Sequence, residues 1–182
     1  MRFVVGLVMA LSLMAAAPAS AAELDPQNTL FMDLTSGRVV IKLRPDLAPQ
    51  HVERVKTLAK QGFYDNTPFH RVIDGFMAQG GDPTGTGGGG SDLPDLKAEF
   101  TPTHFVRGTI GAARTPDPDS ANSQFFIMFA PNANLDGQYT VWGEVVSGME
   151  FVDKIKKGDP GNNGLVGDPD RIVKLRLAAD AK

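Results

Sequence analysis

The chain has 182 residues, 42% of them hydrophobic, a formal net charge of −3 and no cysteine. That mildly acidic balance argues against nucleic acid or an anionic lipid surface as the main partner. The missing thiols exclude a disulfide framework and a lipid attached through cysteine, while the length suffices for one domain that buries a real core.

Arg2 precedes an apolar run from Phe3 to Ala17, and Pro18-Ala19-Ser20-Ala21-Ala22 follows as a small-residue exit. A charged start, a hydrophobic stretch shorter than the about 20 residues that span a bilayer, and an Ala-x-Ala close make the plan of a secretory signal peptide. Residues 1–22 are therefore expected to be a cleaved signal, and residues 23–182 a single exported, periplasmic domain. The mature domain is expected to be monomeric and free of membrane contact. No internal repeat is visible.

Thr29 to Leu34 and Arg38 to Leu43, joined at Thr35-Ser36-Gly37, predict an opening hairpin, with Val39, Ile41 and Leu43 alternating against polar neighbours. Pro49 suits a first helical position. Val52, Val55, Leu58 and Ala59 recur at helical spacing, which predicts a helix from about Pro49 to Gln61 that Gly62 stops. Short apolar strands are predicted around Phe69–Val72, Met77–Gln79, Thr109–Ala112, Gln124–Met128 and Tyr139–Val146, separated by Gly-, Pro- and Asp-rich stretches. Ser147-Gly148-Met149-Glu150 reads as a capping box that opens a second helix carrying Met149, Val152 and Ile155 and ending at Gly158. A last strand is predicted from Arg171 to Ala178. The fold class is mainly β, a barrel with irregular connections.

The stretch from Phe69 to Gly85 mixes residues that make poor sense as packing alone. Gly75 interrupts two apolar runs, and Arg71, Phe76, Met77 and Gln79 gather around it. Residues two apart on a strand share a face, so Met77 and Gln79 should project one way and Phe76 and Ala78 the other. Ser123 to Phe129 repeats the style, a polar start followed by dense aromatics.

Five pieces in order resemble the cyclophilin family of peptidyl-prolyl isomerases. They are Phe69-His70-Arg71-Val72 with Gly75 to Asp82; Gly108-Thr109-Ile110 with Ala113-Arg114; Ser123-Gln124-Phe125-Phe126-Ile127; Leu135-Asp136-Gly137; and Val141-Trp142-Gly143. The resemblance implies a closed antiparallel barrel of eight strands with a helix over each open end. It also implies an isomerase of X–Pro bonds that needs no cofactor and no metal, with proline-containing peptides and unfolded exported proteins as its partners.

That chemistry is rotation about a conjugated amide with a barrier of about 18–20 kcal/mol. A donor aimed at the prolyl nitrogen favours the twisted state, in which the nitrogen regains its lone pair. By itself Arg71 could be a surface arginine in an ion pair; the resemblance assigns it as the donor, with Gln79 holding it. Phe76, Met77, Phe126 and Leu135, which alone would read as core, become the wall around the proline ring. Ala113, Arg114 and Gln124 become substrate-binding residues of the groove. The chain departs from the family at three places: Arg114 stands where Ala-Asn is more familiar, Asn134 where many members have tryptophan, and Tyr139 where they have histidine. Tyr139 can still close the pocket with its ring, while Asn134 leads to an expectation of weak cyclosporin binding. Trp142 is expected in the core. His51, His70 and His104 lack ligand-like spacing, and His70 is expected to be buried and hydrogen-bonded. Gly85 to Gly90 lacks the Lys-Ser or Lys-Thr of a phosphate loop and reads as a flexible loop beside the groove. A second reading is a holdase or proline-peptide binding module that uses the same groove without turnover.

Overall fold

The computed structural model describes residues 24–181, so the signal expected at residues 1–22 lies outside the described residues. The described chain forms β1 (Thr29–Leu34), β2 (Gly37–Leu43), α1 (Pro49–Lys60), β3 (Arg71–Ile73), β4 (Met77–Gly80), β5 (Thr109–Ala112), β6 (Phe125–Met128), β7 (Val141–Ser147), α2 (Met149–Val152) and β8 (Lys174–Leu177). All eight strands join one antiparallel sheet in the order β3-β4-β6-β5-β7-β2-β1-β8.

The first hairpin follows from its period of two. Leu30 and Met32 pair with Ile41 and Val39 across the ladder, and all four are fully buried. Helix α1 turns His51, Val52, Val55, Leu58 and Ala59 inward and packs against β7 and β8. No side chain of its own caps it. Instead the Glu99 carboxylate, 48 residues from His51, accepts from the backbone N–H groups of Gln50 (3.1 Å) and His51 (3.0 Å). A negative charge there satisfies two otherwise orphaned donors and complements the helix dipole. In the middle of the core Phe125 meets Tyr64, Phe69 and Trp142 edge-on, with ring centroids 5.9, 6.3 and 5.9 Å away, a favoured aromatic geometry.

Four expectations need correction. The sheet is an open half-barrel rather than a closed barrel: among the described residues no ladder joins β3 to β8. The chain leading into those strands meets in a single bridge, Pro68 to Arg171, flanked by bonds from Asn66 N–H to Ile172 O (2.7 Å) and Ile172 N–H to Thr67 O (3.0 Å). Phe69 N–H closes that bridge on Asp170 O (2.9 Å), and the strand expected from Phe69 starts at Arg71. The outer edge of β3 is instead covered by residues 158–166, with Gly158 N–H on Val72 O (2.8 Å), Val72 N–H on Gly164 O (2.8 Å) and Val166 N–H on His70 O (3.0 Å). The second helix is a single turn, Met149–Val152, whose N-cap is Gly148 in the left-handed region. Ser147 pairs with Val40 as the last residue of β7, so the sheet claims the residue that the capping box required. The last strand shortens to Lys174–Leu177 because Arg171 and Ile172 are spent at the seam; Leu175 and Leu177 are buried as their alternation predicts.

A second apolar cluster lies apart from the main core and contains Met77, Phe105, Phe126, Met128 and Val141. Phe105 stacks on Phe126 with centroids 5.6 Å apart and planes 22° from parallel. Gly111 makes room for the stack, since a Cβ there would stand 2.5 Å from Phe126 Cζ and 2.8 Å from Phe105 Cε1.

His51 and His70 are both buried. The His51 ring meets Glu99 through Nδ1 (2.6 Å), while among the described residues neither ring nitrogen of His70 has a partner in good hydrogen-bond geometry. His70 is thus buried as expected, with a weak pull from the Pro68 carbonyl in place of a well-formed hydrogen bond. Burial pushes both imidazoles below their ordinary value, against the opposing pull of Glu99 on His51 and Asp82 on His70.

Two outcomes are expected. The unfolded histidines bind protons near pH 6.5 and the folded ones bind them less readily, so stability is fullest above that pH and falls as pH drops below it. The urea midpoint should be lower at about pH 5.5 than at about pH 7.5, a window above the carboxylate range, and the difference should shrink in His70→Gln; equal midpoints in the native protein would contradict the argument. Gly111→Ala should cost about 1–3 kcal/mol through overpacking of the Phe105–Phe126 stack, read as a lowered urea midpoint at unchanged slope.

Candidate active site

The site grows from one row of the sheet. Arg71 of β3 pairs with Gln79 of β4, Gln79 with Phe126 of β6, Phe126 with Gly111 of β5, and Gly111 with Val141 of β7. Residues directly opposite one another across antiparallel strands share a face. A cation, an amide and an aromatic ring are therefore set side by side, with a glycine beyond them giving the ring its space. The next row, Val72, Ala78, Ile127 and Ile110, points the other way and is fully buried in the main core.

Arg71, Phe76, Met77, Gln79, Ala113, Arg114, Phe126, Leu135 and Tyr139 line one recess of about 180 Å³. These are all the expected site residues except Gln124, which lines an adjoining recess of about 340 Å³ together with Gln79, Ala113, Arg114 and residues 87–91. Met77 and Phe126 are buried in the second apolar cluster, and the Tyr139 ring stands edge-on to Phe126 at 5.6 Å. Phe76 faces the recess, not the side of Ala78. It sits before β4 in the turn that bonds its N–H to Ile73 O (3.0 Å), where strand alternation does not apply.

Hydrogen-bond chemistry orders the polar side. A guanidinium only donates, so the Nη1 bond of Arg71 turns the Oε1 of Gln79 toward it (3.1 Å). Gln79 Nε2 then donates to Gln124 Oε1 (3.0 Å), and Gln124 Nε2 donates to the carbonyls of Gly87 (3.0 Å) and Gly89 (2.8 Å). On its far side Arg71 gives Nε–H to Asn163 O (3.0 Å) and Nη2–H to Asn163 Oδ1 (2.9 Å). Of five N–H groups three are engaged among the described residues, leaving one on each terminal nitrogen. Burial draws the half-buried guanidinium below its ordinary value, but it remains a cation at neutral pH.

Arg114 is tied down differently. Its Nη1 donates to Thr115 O (2.8 Å) and its Nη2 to Gln138 O (2.9 Å), and its guanidinium lies 4.5 Å from the Tyr139 ring centroid. The departures from family pattern at positions 114 and 139 thus form one cation–π pair at the rim. Asn134 is exposed in the 3₁₀ turn Ala133–Leu135, and Trp142 is buried in the main core.

The glycine loop lies beside the groove as expected, wrapped around Asp82. That fully buried carboxylate accepts from Thr84 N–H (2.8 Å), the Thr84 hydroxyl (2.8 Å), Gly87 N–H (2.7 Å) and Gly89 N–H (3.2 Å). Burial alone would raise its pKa, but these bonds outweigh that effect and hold it below the usual carboxylate range.

Sequence reasoning missed Asn163, 92 residues from Arg71, and the supporting roles of Phe105 and Asp82. The Asn163-Gly164 dipeptide signals a turn, but nothing in its surroundings says which side chain the turn will meet.

Comparison with known proteins agrees with this geometry. Residues 29–177 match the family described as cyclophilin type peptidyl-prolyl cis-trans isomerase/CLD. A probable peptidyl-prolyl cis-trans isomerase of Brucella suis is 53% identical over 185 residues, covering 96% of this chain and 93% of the relative. A cyclophilin from Hirschia baltica superposes with a TM-score of 0.77 at 28% identity, over 87% of this chain and 77% of that one. A Cryptosporidium parvum cyclophilin type isomerase, crystallised in the presence of the dipeptide Ala-Pro, gives 0.75 at 28% identity, over 82% and 98%. A family match across most of the described chain, together with the row that carries Arg71, Gln79 and Phe126, leads to one conclusion: this chain belongs to the cyclophilin-type peptidyl-prolyl cis-trans isomerases.

Proposed function

We propose that Arg71 carries the isomerisation by donating to the prolyl nitrogen of a twisted X–Pro bond while the proline ring rests on Met77 and Phe126. The carrying observation is a fixed cationic fork with two unengaged N–H groups at the edge of an apolar recess of about 180 Å³. Both planar forms of the amide keep the nitrogen lone pair in conjugation, so such a donor acts mainly on the state between them. Each about 1.4 kcal/mol of that preference is worth about tenfold in rate. Gln79 holds the fork from one side. Ala113, Arg114 and Gln124 line the groove for residues preceding proline, and Leu135 and Tyr139 close the far wall.

The substrates on this reading are proline-containing segments of unfolded exported proteins, a choice supported by the signal-like pattern of residues 2–22. The Ala-Pro used with the Cryptosporidium parvum relative belongs to the same ligand class. Without an indole at the exposed position 134, the rim offers cyclosporin less apolar surface, and weak binding is expected.

Arg71→Ala should lower kcat/KM for an X–Pro peptide about tenfold or more while leaving the protein folded, the loss of three hydrogen bonds at a half-buried side chain costing only a modest drop in the urea midpoint. Arg71→Lys should also be poor, since an ammonium lacks the planar fork. A protease-coupled assay or NMR exchange spectroscopy on one X–Pro peptide reads both, and native turnover in Arg71→Ala would reject the assignment.

A further inference from the structure

The donor needs an orientation as well as a charge, and most of the contacts that set it come from outside the β3–β4 hairpin. A free arginine side chain samples many rotamers, and three acceptors hold Arg71: one from Gln79 and two from Asn163. Asn163 takes the Nε edge with its backbone carbonyl and Nη2 with its side-chain oxygen. Its backbone makes this possible. At φ +51° and ψ +31° it lies in the left-handed region, which asparagine tolerates better than most residues, and there both of its oxygens meet one guanidinium.

The segment carrying Asn163 is itself held firmly. Gly164 N–H returns to Asp159 O (2.9 Å), Asp159 N–H reaches Leu165 O (3.0 Å), and the Asp159 side chain accepts from Gly161 N–H (2.8 Å). The whole turn is bonded to the outer edge of β3 on either side of Arg71, through Val72 and His70. The same backbone bonds that cover the open edge of the sheet therefore place two acceptors against the guanidinium.

We infer that Asn163 is a positioning residue for Arg71: it fixes the guanidinium so that one N–H on each terminal nitrogen faces the recess before substrate arrives. It acts through Arg71, and the inference rests on the donor role proposed above. Orientation established before binding lowers the barrier of the bound complex more than it strengthens binding. Loss of the Asn163 side chain should therefore appear in kcat and leave KM nearly unchanged.

Asn163→Gly is the informative variant, because glycine keeps the left-handed backbone and the carbonyl contact and removes only Oδ1. It should lower kcat about fivefold with KM within about twofold of native, measured by NMR exchange at several peptide concentrations. Asn163→Asp, which keeps an acceptor at the same place, should recover most of the loss. In an Arg71→Ala background, Asn163→Gly should have no further effect, since residues that act as a unit are not additive. Native kcat in Asn163→Gly beside a crippled Arg71→Ala would overturn the positioning role and leave the donor role standing. So would a loss that persists in the Arg71→Ala background or that Asn163→Asp fails to rescue. Native turnover in Arg71→Ala would remove both.

Discussion

A guanidinium donates and never accepts, and the groove is ordered by that one-way property. Arg71 turns the carbonyl end of Gln79 toward itself, which leaves the amide nitrogen of Gln79 to find Gln124, whose own nitrogen finds the carbonyls of Gly87 and Gly89. Reversing any one amide would set oxygen against oxygen or nitrogen against nitrogen at about 3 Å, a conflict that would propagate along the whole row. The chain of bonds ends on a loop held by the buried carboxylate of Asp82. The cationic end of the groove and the glycine loop are thus parts of one arrangement, even though no charge pair links them.

The apolar side obeys a different constraint, the register of the sheet. Because Arg71, Gln79, Phe126 and Gly111 stand opposite one another on consecutive strands, the cation and the ring share a face without any loop having to bring them together. Gly111 lets the ring of Phe126 lie against Phe105. Sites built on strands hold their geometry better than sites on loops, which suits the donor role proposed for Arg71.

The open seam between β3 and β8 belongs to the same design. An uncovered edge strand invites pairing with other chains, and here residues 158–166 occupy it with backbone bonds. That cover brings Asn163 to Arg71. The departures at Arg114 and Tyr139 form a local pair of their own, stacked at 4.5 Å. They leave the Arg71 row intact.

Much of this was legible in the amino-acid order. Strand alternation located the inward faces of β2 and β8, helical spacing located α1, and motif order named the family and all nine residues that share the recess. Those signals are local, since a period of two or 3.6 needs only neighbours along the chain. The orientation of Phe76 was misread because a turn, not a strand, carries it. The supposed capping box at Ser147 was lost because pairing with Val40 took that residue into β7. Among the described residues the seam closes through a single bridge, and contacts such as Glu99 with the start of α1 or Asn163 with Arg71 span dozens of residues. Which distant backbone reaches a given side chain depends on how the whole sheet curves and where its edges are covered, and only the tertiary structure decides that.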